Sequence, residues 1–283
     1  MSSFFLFKGA TVGQAISEHP LIEKIAFTGS TGRKILKASA GSNLKVVTLE
    51  LGGKSPCVIF YDADLDQAIK WASFGIFFNM GQSCVAGSRI FVQEGIYDQF
   101  LTKFTAIAAD LTSKTGDPFG QGTEHGPQVS TIRFDRVMGY IDSGKAAGAT
   151  VHHGGEPHRN EGYFIKPTIF TDIHPDMKIV KEEIFGPVAV IIKFKDEAEV
   201  VEMANNTTYG LAAPLFTENV SRAIRVAHAV EAGTVWVNCA QSAEWNVPFG
   251  GYKQSVIGRE LGEYALDTYT QVKAVHVNIG QKL

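Results

Sequence analysis

Residues 44–60 read Leu-Lys-Val-Val-Thr-Leu-Glu-Leu-Gly-Gly-Lys-Ser-Pro-Cys-Val-Ile-Phe. The apolar and β-branched run over 44–51 predicts a strand that stops at the Gly52-Gly53 pair, and Val58-Ile-Phe60 predicts another just beyond it. Asp64 can cap a helix whose apolar residues Leu65, Ala68, Ile69, Ala72 and Ile76 keep a 3.6-residue period. That helix runs into Phe78-Asn-Met-Gly-Gln-Ser-Cys-Val-Ala-Gly-Ser-Arg89, where Arg89-Ile-Phe-Val92 begins a further strand.

The same alternation continues in both directions. Upstream, Lys24-Ile-Ala-Phe27 reads as a short buried strand, followed by the turn Thr28-Gly-Ser-Thr-Gly32 and a helical stretch to Ala38. Downstream, helices are expected over 96–112, 130–147, 197–205 and 220–231, and strands over 187–194 and 234–238. Strands and helices in turn argue for an open α/β sheet. Residues 148–162 are polar and glycine-rich and carry His152, His153 and His158. A solvated hairpin loop is expected there rather than a metal site, and no metal is expected elsewhere. The tail sets Val275, Val277 and Ile279 against His276 and Asn278, the pattern of a terminal strand that needs a partner edge.

At 283 residues the chain can hold one large core or two smaller ones. It is 45% hydrophobic and 19% charged. That charge lies below the usual ~25% and hints at surface buried against a partner. A net charge of −3 without a basic stripe weighs against nucleic acid and anionic membrane as partners. Residues 1–8 hold four consecutive apolar residues, too few for a signal peptide or a membrane span. Three widely spaced cysteines, Cys57, Cys84 and Cys239, show no zinc spacing and fit a reducing compartment, the cytoplasm.

Two side chains stand out chemically. Cys84 lies where a helix gives way to a loop among small and polar neighbours, so nearby N–H groups could lower its pKa and later hold an oxyanion. On its own, a cysteine near glycine is more often inert core. Glu50 ends an apolar strand, and burial of a carboxylate there raises its pKa toward the range of a general base, unless it is simply an exposed strand end. The 34 residues between them hold a strand and a helix, enough chain to bring both to one cleft. Cys57 and Cys239 lie in apolar strands and are expected to pack. A cysteine hydrolase of unrelated fold would want a histidine base close to the thiol in the chain, and none lies within forty residues of Cys84.

From about Gly9 to the C-terminus these stretches resemble the aldehyde dehydrogenase superfamily. The resemblance rests on residues 49–56 and 78–89, on Lys181-Glu-Glu-Ile-Phe-Gly-Pro187, on the 28–32 turn followed by Arg33-Lys34, and on closing motifs. The closing motifs are Asn238, Pro248-Phe-Gly-Gly-Tyr-Lys253 and Gly258-Arg-Glu-Leu-Gly262. It implies an α/β fold: an open, mostly parallel sheet with flanking helices as catalytic domain, plus a partial Rossmann-like piece. The implied domains are 1–51 (cofactor-binding), 52–253 (catalytic) and 254–283 (return segment and oligomerisation strand). The implied activity is NAD- or NADP-dependent oxidation of an aldehyde. Cys84 attacks the carbonyl, hydride passes to nicotinamide, and water activated by Glu50 releases the acid.

By the same resemblance the cofactor would meet Gly29, Ser30, Leu51, Gly52, Glu183 at the nicotinamide ribose and Phe185 at the ring. The substrate pocket would comprise Phe74, Phe78, Ser83, Val85, Ala243 and Phe249. Ala240, Ser242 and Ala243 leave one wall small, with Trp245 to compensate, so a roomy apolar pocket for medium aliphatic or aromatic aldehydes is expected. The tail would join a sheet of a neighbouring subunit, giving a homo-oligomer.

The sequence also departs from that pattern. The 28–32 turn lacks two residues before its second glycine, which shifts the first helical turn. Val256 and Ala265 stand where glycine is usual, and Val256 would strain a turn that needed positive φ. The chain is expected to begin midway through the family pattern, with residues 1–8 unlike it. The segment bearing an oxyanion asparagine and an adenosine-ribose lysine is not placed. Loss of one oxyanion donor typically costs ~10²–10³ in rate. The alternative is a truncated fragment without hydride transfer, keeping thiol or esterase chemistry or a purely associating role.

Overall fold

A computed structural model describes residues 9–282. The apolar run within residues 1–8 lies outside the described residues. In chain order the strands are β1 (Lys24–Thr28), β2 (Val46–Glu50), β3 (Pro56–Ile59), β4 (Arg89–Gln93) and β5 (Thr150–His153). They continue with β6 (Thr168–Thr171), β7 (Val188–Phe194), β8 (Ala212–Phe216), β9 (Thr234–Val237) and β10 (Val256–Ile257). The α-helices are α1 (Gln14–Glu18), α2 (Gly32–Gly41), α3 (Leu65–Phe77), α4 (Tyr97–Ser113), α5 (Thr131–Ala146), α6 (Lys178–Lys181), α7 (Glu197–Asn205) and α8 (Val220–Ala229).

Among the described residues the strands form two sheets. The smaller has the order β1-β2-β10, with β1 parallel to β2 and β10 antiparallel to it. The larger has the order β5-β6-β7-β4-β3-β8-β9, parallel throughout except for β5 at one edge. Strands covered on both faces need no polar side, which is why β3, β6 and β8 are buried from end to end. Alternate residues feed opposite cores. Cys57, Ile59, Ile90 and Val92 meet α3 and α4 through Phe77, Phe100 and Phe104. Val58, Phe60 and Phe91 meet α7 and α8 through Val200 and Val226. A third cluster, Val137, Ile141, Phe170 and Ile179, packs α5 and α6 on β6.

Asp64 caps α3 as anticipated, accepting the Gln67 N–H at 3.1 Å. Other expectations need correction. The second strand begins at Val46, because Leu44 is exposed with a left-handed φ of 57°. Residues 148–162 are not all loop: Thr150 to His153 pair antiparallel with β6, and His153 Nε2 lies 3.1 Å from Thr112 Oγ1. β8 was not anticipated because Pro214 sits inside it, and proline cannot donate to a ladder. Cys239 lies just past β9 and is only partly buried. Val256 is not strained: it pairs in β10 and lacks a positive φ. The tail forms no strand within this chain, and Val272, Val275, Val277 and Ile279 are exposed. No described helix is long and apolar enough to cross a membrane.

Candidate active site

Glu50 is the last residue of β2, flanked across the sheet by Thr28 and Val256. It is only 6% exposed, and neither carboxylate oxygen has a hydrogen-bond partner. Burial first, and then the negative charge of Glu260, push its pKa up to about 7 against the pull of Arg259. Such a carboxyl can take and return a proton near neutrality, as its place at the end of an apolar strand had implied.

Beyond Glu50 the chain must pass between two neighbours. The Leu51 N–H donates to Ser255 O at 2.7 Å, and the Gly53 N–H donates to Glu183 Oε1 at 3.0 Å. A Cβ on Gly52 would overlap the Glu183 carboxylate, and one on Gly53 would overlap the Cys84 carbonyl. The glycine pair therefore lets three segments distant in sequence meet: the end of β2, the thiol loop and the 182–187 loop.

The thiol loop is built on an unusual turn. After α3, Asn79, Met80 and Gly81 are all left-handed, with φ of 50°, 54° and 69°. Gly81 presses so closely on Gly186 that a side chain there would overlap the Gly186 carbonyl. Cys84 follows, half-buried. Burial first, then the charges of Glu183 and Glu50, push its pKa up, while its own N–H and that of Val85 draw it down. The thiol thus sits within the electrostatic reach of both carboxylates and in front of two N–H groups.

Glu183 is held between burial, which raises its pKa, and the Gly53 N–H together with the charges of Lys54, Arg133 and Arg136, which lower it. Phe185 has a left-handed φ of 59°, and the Arg133 guanidinium stands 4.8 Å from its ring centroid. Gly53, Gly81, Ser83, Glu183, Phe185 and Gly186 border one cleft.

The other expected residues fall around it. The Gly29 N–H donates to Glu50 O at 2.9 Å, Ser30 is exposed ahead of α2, and the Leu51 side chain packs at Gly32. Phe74 and Phe78 form a tilted pair 4.9 Å apart, with Trp71 edge-on to Phe74. Gln241 joins the opposite segment to them, donating to Gly75 O at 2.8 Å and accepting from Ser83 Oγ at 3.5 Å. Phe249 exchanges backbone hydrogen bonds with Glu260, which brings it to the Glu50 side. Ala243 is exposed in the 241–248 loop. Asn238 serves the fold, exchanging two 3.0 Å hydrogen bonds with the Thr217 backbone.

Four residues here had been given no role by the sequence. Glu260 and Lys54 lie inside quoted motifs, so the signal was present; Arg133 and Gln241 carried none. Lys54 is 1% exposed with its Nζ unpartnered, and burial foremost lowers its pKa to about 7. No group of three or more metal-ligating side chains occurs among the described residues.

A family model described as "Aldehyde dehydrogenase family" matches residues 3–275, so the likeness begins earlier than residue 9. The chain is 65% identical over 277 residues to an aldehyde dehydrogenase of Agaricus bisporus, covering 97% of this chain and 55% of that protein. It is 51% identical over 276 residues to human retinaldehyde dehydrogenase 3, covering 97% and 54%. Among solved structures it superposes on the NAD+ complex of an aldehyde dehydrogenase from Bacillus cereus with a TM-score of 0.93, at 51% identity, over 96% of this chain and 55% of that one. The chain spans about half the length of the curated relatives it matches.

Proposed function

Because the chain belongs to the aldehyde dehydrogenase family, we propose that it serves thiol-dependent oxidation of an aldehyde to a carboxylic acid with NAD or NADP as oxidant. One observation carries this reading: Cys84 lies within electrostatic reach of the carboxylates of Glu50 and Glu183, with the Glu50 pKa raised to about 7. The cleft suits a nicotinamide ribose, since the Glu183 carboxylate is held beside Gly52 in space that a side chain would fill. Gly29, Ser30, Leu51, Gly52, Glu183 and Phe185 would hold the dinucleotide. When bound, it supplies the hydride acceptor. NAD is the first choice, since solved relatives were captured with NAD+.

Cys84 forms the covalent bond to the substrate carbonyl, and the N–H groups of Cys84 and Val85 stabilise developing charge. Glu50 takes the proton of the water that later cleaves the thioester. Phe74, Phe78, Ser83, Val85, Ala243 and Phe249 receive the substrate chain, and the exposed aromatic pair suits medium aliphatic or aromatic aldehydes. The same reading keeps 1–51 as part of a cofactor-binding domain, 52–253 as the catalytic domain and 254–283 as the return segment. The pairing of Val256 with Glu50 supports that return. The exposed apolar tail supports a homo-oligomer.

The test is NADH formation at 340 nm across a panel of aldehydes. A signal that disappears in Cys84→Ala supports the reading, and none above that control refutes activity of this chain alone. A second reading is thiol chemistry without hydride transfer, since Cys84, its N–H donors and Glu50 all belong to this chain. Turnover of a nitrophenyl ester without NAD binding in calorimetry would select it.

A further inference from the structure

The left-handed turn at 79–81 is costly, because Met80 is neither glycine nor asparagine and holds a conformation that other L residues avoid. Such a turn persists only where its surroundings over-determine it. Its internal bonds are local: Gln82 N–H to Asn79 O at 3.0 Å and Asn79 Nδ2 to Gln82 O at 3.0 Å. The external hold comes from the segment leading into α5. Gln128 Nε2 donates to Met80 O at 3.2 Å, the Val129 N–H donates to Gln82 Oε1 at 3.0 Å, and Gly126 lies against the Met80 thioether.

This segment is itself anchored. Gln128 is 2% exposed, and its N–H donates to Tyr163 O at 2.8 Å. His125 is 1% exposed and bridges Thr115, with Nδ1 3.3 Å from Thr115 Oγ1. Gln128 Oε1, in contrast, is buried without a partner. A glutamine chosen for packing would be better replaced by an apolar side chain of the same shape, because an orphaned buried acceptor costs more than it returns. Its side-chain hydrogen bond to the strained Met80 accounts for its presence.

We propose that Gln128 is a positioning residue that clamps the 79–81 turn and so keeps the Cys84 sulfur in front of the N–H groups of Cys84 and Val85. Releasing the clamp lets the turn relax toward right-handed backbone, and the thiolate loses its two donors. The inference deepens the nucleophile role given to Cys84 and rests on it.

The test is Gln128→Met in the full chain on a Cys239→Ser background, since Cys57 is buried and Cys239 is partly exposed. The rate of Cys84 alkylation by iodoacetamide is followed against pH, with the melting temperature measured alongside. At pH 8 the variant should react about tenfold more slowly, with its pH profile moved up by about one unit. Its melting temperature should be unchanged or higher, because the orphaned acceptor is gone. An unchanged or faster alkylation in a folded variant overturns the proposal. So does failure of both Gln128→Met and the isosteric Gln128→Glu to fold, which would make Gln128 a packing residue. No aldehyde or nucleotide enters the measurement, so an inactive dehydrogenase assay leaves this result standing.

Discussion

Glu50 carries the most informative chemistry of any single residue. Its pKa in the folded chain, about 7, lies above the ordinary carboxylate value of 4.5. Between those two values the native state binds a proton that the unfolded chain does not, so stability falls as pH rises through the window. Glu50→Gln should therefore be more stable than the parent at pH 8, by roughly 1–3 kcal/mol, with the two converging below about pH 4.5. Thermal melts across pH check this, and a constant difference would rule out the buried carboxyl as its source. Turnover should move the opposite way. It should rise with pH through about 7 as Glu50 ionises, and in Glu50→Gln it should fall roughly 10²–10⁴-fold with that pH dependence gone.

At the level of the elements, the candidate site depends on how closely three backbones approach. Gly52 and Gly53 are adjacent but face different neighbours: a flexible carboxylate at Glu183 and a main-chain carbonyl at Cys84. Gly52→Ala should displace the Glu183 side chain at small cost to the fold, raising KM for the nucleotide without slowing alkylation of Cys84. Gly53→Ala should force the thiol loop away from β2, lowering alkylation as well as turnover and costing roughly 1–3 kcal/mol of stability. Steady-state kinetics, thiol labelling and melting of the two variants separate the cases. Identical behaviour would mean that the pair acts as a flexible hinge and not as two distinct contacts.

For the molecule as a whole, the C-terminal tail stands apart from both sheets. Val275, Val277 and Ile279 alternate with polar residues as a strand should, yet they lie exposed and unpaired in the single chain. Among the described residues, hydrogen bonds within 278–281 join the tail to itself. Deleting residues 272–283 should leave the melt of the isolated chain nearly unchanged while lowering the mass measured by light scattering, as expected of a segment that joins a second copy. An unchanged mass would place the tail outside any self-association.

The α/β class and the main helices followed from periodicity, because a 3.6-residue apolar repeat or a continuous apolar run reports which faces must leave water. That local rule recovered α3, α4, α5 and the capping by Asp64, and it failed at β8, where Pro214 is tolerated because neighbouring strands supply the sheet. The residue types at the candidate site were readable for the same reason: Glu50, Cys84, Glu183 and Phe185 stand in distinctive local strings. Their coupling was not. The pressure of Glu260 on the Glu50 charge, the stacking of Arg133 on Phe185 and the hold of Gln128 on Met80 join residues far apart in the chain, and electrostatics and packing act through space.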